Sequence, residues 1–205
     1  WDQRLCAVPD GDLFDVLKKG KANILTDTID HFTKDGLVLN SGDTLSADIV
    51  ISATGLDLQL MGGLDIQIDG TPFNMSDAKV YRGVLIESLP NLGMIFGYTN
   101  ASWTLKSDLT SEYICRVLNY MEKTDTQQCM PVDEENMDDI PFIDMSSGYI
   151  QRALNKVPKQ GQKSPWRLHQ NYIRDMAMLR LGSVNDGVIK FSKTSAQPEM
   201  VPIES

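Results

Sequence analysis

Two stretches of the sequence carry residues whose types and spacing could do chemistry. In the first, an apolar run leads into Gly97-Tyr98-Thr99-Asn100-Ala101-Ser102, and a long amphipathic stretch begins at about Thr104. That order predicts a strand, a polar loop and the start of a helix. A helix start presents unpaired N–H groups and a partial positive charge, which together seat an anion or the electron-rich edge of a ring. The same order describes an ordinary helix packed on a sheet and capped by Asn100, Ser102 or Thr104. In the second stretch, Asp48-Ile49-Val50-Ile51-Ser52-Ala53-Thr54-Gly55 passes from unbroken apolar residues into small ones. The Ile-Val-Ile run predicts a strand buried on both faces, as in a parallel sheet. Ala53 and Gly55 leave room for a ligand to approach the backbone.

Other chemistry is sparse. No nucleophile–base pair stands out, and neither GxGxxG nor GxxxxGK[ST] occurs. Cys6, Cys115 and Cys129 are three and widely spaced, which argues against a disulfide framework or a zinc site and favours a reducing, cytoplasmic setting. His31 and His169 lack metal-ligand spacing and are expected to be ordinary, partly exposed histidines; no metal is expected. A net charge of -9 with no dense basic run repels polyanions, so nucleic acid is set aside. No apolar run approaches the roughly 18 residues of a membrane helix. Arg4 stands alone in a loop, where a surface ion pair would be the plain expectation. Trp166-Arg167 either line a ligand entrance or pack the C-terminal segment. Lys106, Lys156 and Lys163 are expected as surface charges.

The elements that must position these residues follow from periodicity and turn chemistry. With 205 residues and 41% hydrophobic composition, the chain holds one large domain or two small ones. A short helix is predicted from Asp10 or Asp12 to Lys19, with Leu13, Phe14 and Leu17 on one face and Gly20 as its stop. Short strands follow at Ala22–Leu25, Thr28–Thr33, Leu37–Leu39 and Thr44–Leu45, the last three forming a meander. After the strand ending at Gly55, Ile66 and Ile68 suggest a short strand. Val80–Glu87 and Leu92–Phe96 are predicted as strands, the second being the apolar run before Gly97. The long helix spans about Thr104 to Glu122, with Leu105, Leu109, Ile114, Val117, Leu118 and Met121 as its apolar stripe. Asp125 to Asp139 reads as an exposed acidic loop. A helix at Gly148–Asn155, a basic linker, a helix opened by Pro165 and running to about Leu181, and a strand at Ile189–Phe191 complete the chain.

Against this background, the stretch from Asp48 to Gly55 resembles the Ala-Thr-Gly motif of flavin-containing and Baeyer–Villiger monooxygenases. Pro90-Asn-Leu-Gly-Met-Ile-Phe-Gly97 resembles their strand returning to the flavin, and Tyr98 to Trp103 the loop at the pyrimidine edge of the ring. Trp1 to Phe14, Lys159-Gln-Gly161, Pro165-Trp-Arg167 and Gln170-Asn-Tyr172 resemble the ethionamide-activating monooxygenase subfamily. The similarity runs from Trp1 to about Lys193.

The resemblance implies an α/β fold: the C-terminal portion of a flavoprotein with two dinucleotide-binding domains. Residues 1–57 would end the NADPH domain, 58–124 would be the returning part of the FAD domain, and 125–205 an acidic loop and C-terminal helical cover. The implied activity is NADPH-dependent insertion of one oxygen atom of O2 into a ketone, or its transfer to sulfur or nitrogen, through a flavin peroxide. Arg4 occupies the position of an arginine that faces the flavin, where a permanent cation steadies developing negative charge. Ala53, Thr54, Gly55, Gly97, Asn100, Ser102, Trp103, Thr104 and Leu105 are implied as cofactor-binding, for FAD and NADPH, and Trp166 and Arg167 as a weaker substrate contact. The family's Gly-rich cradles do not occur here and are expected upstream of Trp1, so this chain is expected to be inactive alone and to expose a strand edge that invites self-association. Two rivals stay open: a fragment like the flavin disulfide reductases, and a non-enzymatic interaction domain or split subunit.

Overall fold

A computed structural model describes residues 8–143, 145 and 147–193. The chain divides into two compact units, one ending at Leu56 and one beginning at Asp57.

The first unit opens with helix α1 (Asp12–Lys18), preceded by a left-handed Gly11 and followed by Lys19 and Gly20, whose N–H groups close its last turn. Strands β1 (Ile29–Thr33), β2 (Gly36–Leu39) and β3 (Thr44–Ser46) form an antiparallel meander in the order β1-β2-β3. Lys34-Asp35 turns β1 into β2, and Asn40-Ser41-Gly42 lies between β2 and β3. Ala22–Leu25 is coil rather than strand. The predicted strand at 48–55 also fails to form: Ile49 and Ile51 are 81% and 85% exposed, and the segment through Gly55 has no ladder. A run of β-branched residues becomes a strand only with neighbours to hydrogen-bond. The meander uses its own partners, and among the described residues this segment pairs with none.

The second unit is built on a tight hairpin. Val80–Glu87 is not one strand but two, β6 (Val80–Tyr81) and β7 (Leu85–Ile86), turned by Arg82 and Gly83 at positive φ. Before it, β4 (Ile66–Ile68) pairs with β5 (Thr71–Phe73). Alternation along the hairpin then divides the interior. Tyr81 and Leu85 join a cluster with Leu109, Tyr113, Val117, Trp166 and Leu179, whereas Val80 and Ile86 join one with Met94, Phe142, Ile143 and Ile150. Leu92–Phe96 makes a single bridge, Gly93 to Leu85, instead of a strand.

Helix α2 (Trp103–Thr124) is the longest element, and its buried positions are Lys106, Leu109, Thr110, Tyr113 and Val117. That face is rotated from the expected stripe: Leu105 and Leu118 are exposed, and Lys106 points inward. The expected acidic loop contains strand β8 (Gln128–Pro131) and a buried Asp133; it ends in β9 (Asp139–Pro141). Asp133 is buried because it binds Lys79 Nζ at 3.1 Å and accepts from the Glu135 and Met137 N–H groups. Helix α3 (Gly148–Ala153) precedes β10 (Lys159–Gly161), which pairs with β9 and occupies part of the expected basic linker. Pro165 opens no helix; it follows a cis peptide bond. Helix α4 (Tyr172–Met176) starts later, where the Asn171 side chain accepts from Arg174 N–H, and continues into a π-helical turn over Ala177–Leu181. Strand β11 (Ile189–Ser192) pairs with β8 as a final hairpin-like closure. The chain is thus mixed helix and strand, and every strand pair among the described residues is antiparallel.

Candidate functional site

The loop Gly97–Ser102 and the first turn of α2 bring together Gly97, Asn100, Ser102, Trp103, Thr104 and Leu105. Ser102 is the N-cap residue in extended conformation, but no side chain caps the helix. The Ser102 hydroxyl instead meets Thr104 Oγ1 at 2.8 Å. Residues 101–105 are exposed, so the helix start offers its N–H groups and its positive dipole end outward. Trp103, 49% exposed, lies over Gly97 and against Phe96 at a centroid distance of 5.2 Å. The first duty of Gly97 in this fold is therefore to seat the Trp103 ring.

Behind the loop is a buried polar cluster that sequence spacing does not announce. Lys106, expected as a surface charge, is only 5% exposed. Its Nζ sits 2.7 Å from Asp175 Oδ2, on α4, and the Tyr98 hydroxyl donates to the same oxygen at 2.7 Å. Burial lowers the Lys106 pKa, against the opposing pull of Asp175. Burial also raises that of Tyr98, reinforced by Asp175, so its hydroxyl stays a donor at neutral pH. Gln170 supplies a second tie: its side-chain carbonyl accepts from Thr99 N–H at 3.0 Å, and its backbone carbonyl accepts from Asn100 Nδ2 at 3.3 Å. Phe96, Gly97, Leu168 and His169 line a crevice of about 10 Å³ beside this cluster. That space is at the threshold for one water, so no ring enters it.

The other predicted residues are in different settings. Ala53, Thr54 and Gly55 are exposed coil in the other unit. Arg4 lies outside the described residues. Trp166 is buried in the first core cluster, edge-on to Tyr81 at 5.6 Å, and so packs the C-terminal segment instead of lining an entrance. Arg167 is half-buried beside it, its N–H donating to the Lys163 carbonyl. His31 is exposed and His169 half-buried, with a pKa lowered first by burial and then by Arg174. Among the described residues no three metal-ligating side chains converge, and no helix is long and apolar enough to cross a membrane. Cys115 and Cys129 are both free.

Tyr98, Lys106, Gln170 and Asp175 were not among the expected site residues. Tyr98 lies within the Gly97–Ser102 loop, so its sequence position signals it. Lys106 and Asp175 are far apart in sequence and of opposite charge, a pattern with no local signal.

No family model matches the chain, and no solved structure matches it. Curated proteins do. The chain is 48% identical over 195 residues to the "Probable FAD-binding monooxygenase AlmA" of Acinetobacter baylyi, covering 94% of this chain and 39% of that protein. It is 47% identical over 198 residues to the FAD-containing monooxygenase EthA of Mycobacterium tuberculosis, covering 96% and 40%. With EthA of Mycolicibacterium smegmatis the identity is 46% over 197 residues, covering 96% and 40%. The chain thus spans about 40% of the length of these relatives, and it matches a C-terminal part of them.

Proposed function

We propose, from the premise that this chain is homologous to a C-terminal part of FAD-containing monooxygenases, that the full-length protein is an FAD- and NADPH-dependent monooxygenase. It inserts one oxygen atom of O2 into a ketone, as Baeyer–Villiger enzymes do, or transfers it to a soft sulfur or nitrogen atom. The observation that carries this reading is 46–48% identity sustained over 94–96% of the chain. The uncapped start of α2 supports it, because its free N–H groups suit the electron-rich pyrimidine edge of a flavin. In this reading residues 1–57 end an NADPH domain, 58–124 return to the FAD domain, and 125–205 form the C-terminal cover.

When bound, FAD supplies the redox and oxygen-transfer chemistry. The chain's own residues orient and shield. Ser102, Trp103, Thr104 and Leu105, with Gly97 and Asn100, hold the flavin edge by backbone donors and apolar contact. Ala53, Thr54 and Gly55 allow close approach of the nicotinamide cofactor's side of the site. Arg4 places a permanent cation next to negative charge that develops during oxygen transfer. The exposed Ile49–Ile51 run takes strand partners from the part of the relatives that this chain does not span, and in isolation that edge favours self-association. The free thiols of Cys115 and Cys129 suit a reducing compartment such as the cytoplasm.

Equilibrium titration with FAD tests the reading. The isolated 205-residue chain is expected to bind little, and the full-length protein to bind one equivalent and oxidise NADPH. Arg4→Ala in the full-length protein is expected to keep NADPH oxidation and lose oxygenated product. A full-length protein with no flavin affinity would overturn the assignment, and unchanged product yield would remove Arg4 from it.

A further inference from the structure

The buried cluster behind the loop suggests a role that the proposed function leaves unassigned. We infer that Asp175 is a positioning residue whose carboxylate clamps Tyr98 and Lys106, with Gln170 as a second tie, so that the C-terminal segment sets the conformation of the 97–102 loop at the proposed flavin edge. As a statement about the flavin, this rests on the reading above.

Three observations support it. First, the contacts converge. Both Tyr98 Oη and Lys106 Nζ reach one Asp175 oxygen at 2.7 Å, and Lys106 Nζ lies 5.6 Å from the centre of the Tyr98 ring. One carboxylate therefore fixes a loop residue and a residue in the first turns of α2 at once. Second, Tyr98, Lys106 and Asp175 are all buried, which strengthens these bonds relative to exposed ones. Third, Gln170 repeats the device at the next loop residues, holding the Thr99 N–H and the Asn100 side chain. The Gln170 backbone is itself held at positive φ, an uncommon conformation for a residue with a side chain, which aims it back at the loop. An ordinary core ion pair would need none of this concentration on a six-residue loop. The geometry makes the α4 segment a brace: what it fixes is the loop, and through the loop the helix start and Trp103.

The brace predicts that loop order depends on Asp175 even when the fold survives. Removing Asp175 alone strands the Lys106 charge, so the informative variant is the pair Asp175→Leu with Lys106→Met, which removes both charges and the oxygen that accepts from Tyr98. Gln170→Ala is the second, milder variant. Each is made in the 205-residue chain and in the full-length protein. In the chain, hydrogen exchange of the Thr99 amide, which donates to Gln170, is followed without any flavin. Both variants are expected to speed exchange there at least tenfold while the amides of β8 and β11 exchange as before. In the full-length protein the same variants are expected to weaken FAD binding at least fivefold and to shift the visible flavin spectrum. If exchange in the loop is unchanged in both variants, the clamp is wrong whatever the flavin does. If the loop loosens but the unmodified full-length protein binds no FAD, the clamp stands and the flavin reading fails. If the unmodified protein binds FAD and the loosened variants leave affinity and spectrum untouched, the loop is braced but does not position the cofactor, and the inference is overturned in that part.

Discussion

The indole of Trp103 rests directly on the backbone of Gly97: a Cβ at position 97 would lie 2.2 Å from Cδ2 of the ring and 2.3 Å from Cγ. No flexible chain end absorbs such a contact, because both atoms are near the root of the side chain. Gly97→Ala therefore has to expel the indole or distort the loop. The expected loss is about 1–3 kcal/mol, the usual scale for overpacking, read as a lower midpoint in thermal or urea unfolding. In a Trp103→Ala background the same change should be nearly neutral, since the obstacle is gone. Equal losses in both backgrounds would show that something other than the indole excludes a side chain at 97.

The Lys106–Asp175 pair gives a second expectation. Both groups are buried, so removing one leaves the other as an uncompensated charge. Lys106→Met or Asp175→Leu alone is expected to cost about 3–5 kcal/mol, and the double variant clearly less than the sum. Chemical unfolding of the three variants measures the coupling. Additive losses would mean that the two side chains do not depend on one another.

What the sequence disclosed follows the range of the interactions involved. The meander from Ile29 to Ser46, the long helix and the closing strand at Ile189 are local or strongly periodic, and they formed within a few residues of expectation. The hairpin hidden in Val80–Glu87 was missed because Arg82, unusually for a residue with a side chain, takes a positive φ. The strand at Ile49 was misjudged because apolar content predicts burial only when neighbours exist to provide it. The candidate site was half legible. Its loop and helix start stood out as a contiguous motif, whereas Lys106, Asp175 and Gln170 meet only through tertiary folding. Hydrophobic patterning also assigned Lys106 to the surface, since a lysine turns inward only when a distant partner such as Asp175 compensates its charge.

Acid and alkali should each weaken one hub, through different residues. Lys79 Nζ lies 3.1 Å from Asp133, 3.4 Å from Asp139 and 3.5 Å from Glu87. The Asp139 carboxyl is held below its ordinary range by its hydrogen bond from Lys159, with Lys79 adding to the effect. Its contribution is therefore present above the unfolded value of about 3.9 and fades as pH falls below it. Burial pulls the Lys79 pKa down, but the Asp133 hydrogen bond and the surrounding carboxylates outweigh it and raise the net value. That contribution is present below the unfolded value of about 10.4 and is lost as pH rises through the higher folded value. Urea midpoints measured against pH should show Asp139→Asn losing its difference from the unmodified chain in acid, and Lys79→Met losing its difference in strong alkali. A difference that stays constant across either limb would contradict the assignment for that residue.

The two described cysteines should label at very different rates. Cys115 is exposed on α2. Cys129 is buried in β8, where Phe191 of β11 pairs opposite it and Asn91 Oδ1 accepts its backbone N–H at 2.9 Å. Burial raises the Cys129 thiol pKa, only partly offset by a hydrogen bond from the Asn91 backbone, so the thiolate is scarce as well as hidden. With Cys6 replaced by serine to remove its contribution, an alkylating reagent at neutral pH should modify Cys115 first. Cys129 should react slower by on the order of a hundredfold, through opening of the β8–β11 pair. Denaturant should bring the two rates together. Mass spectrometry of the labelled peptides over time makes the comparison, and rapid labelling of Cys129 in the native protein would mean that the β8–β11 closure is not stably formed.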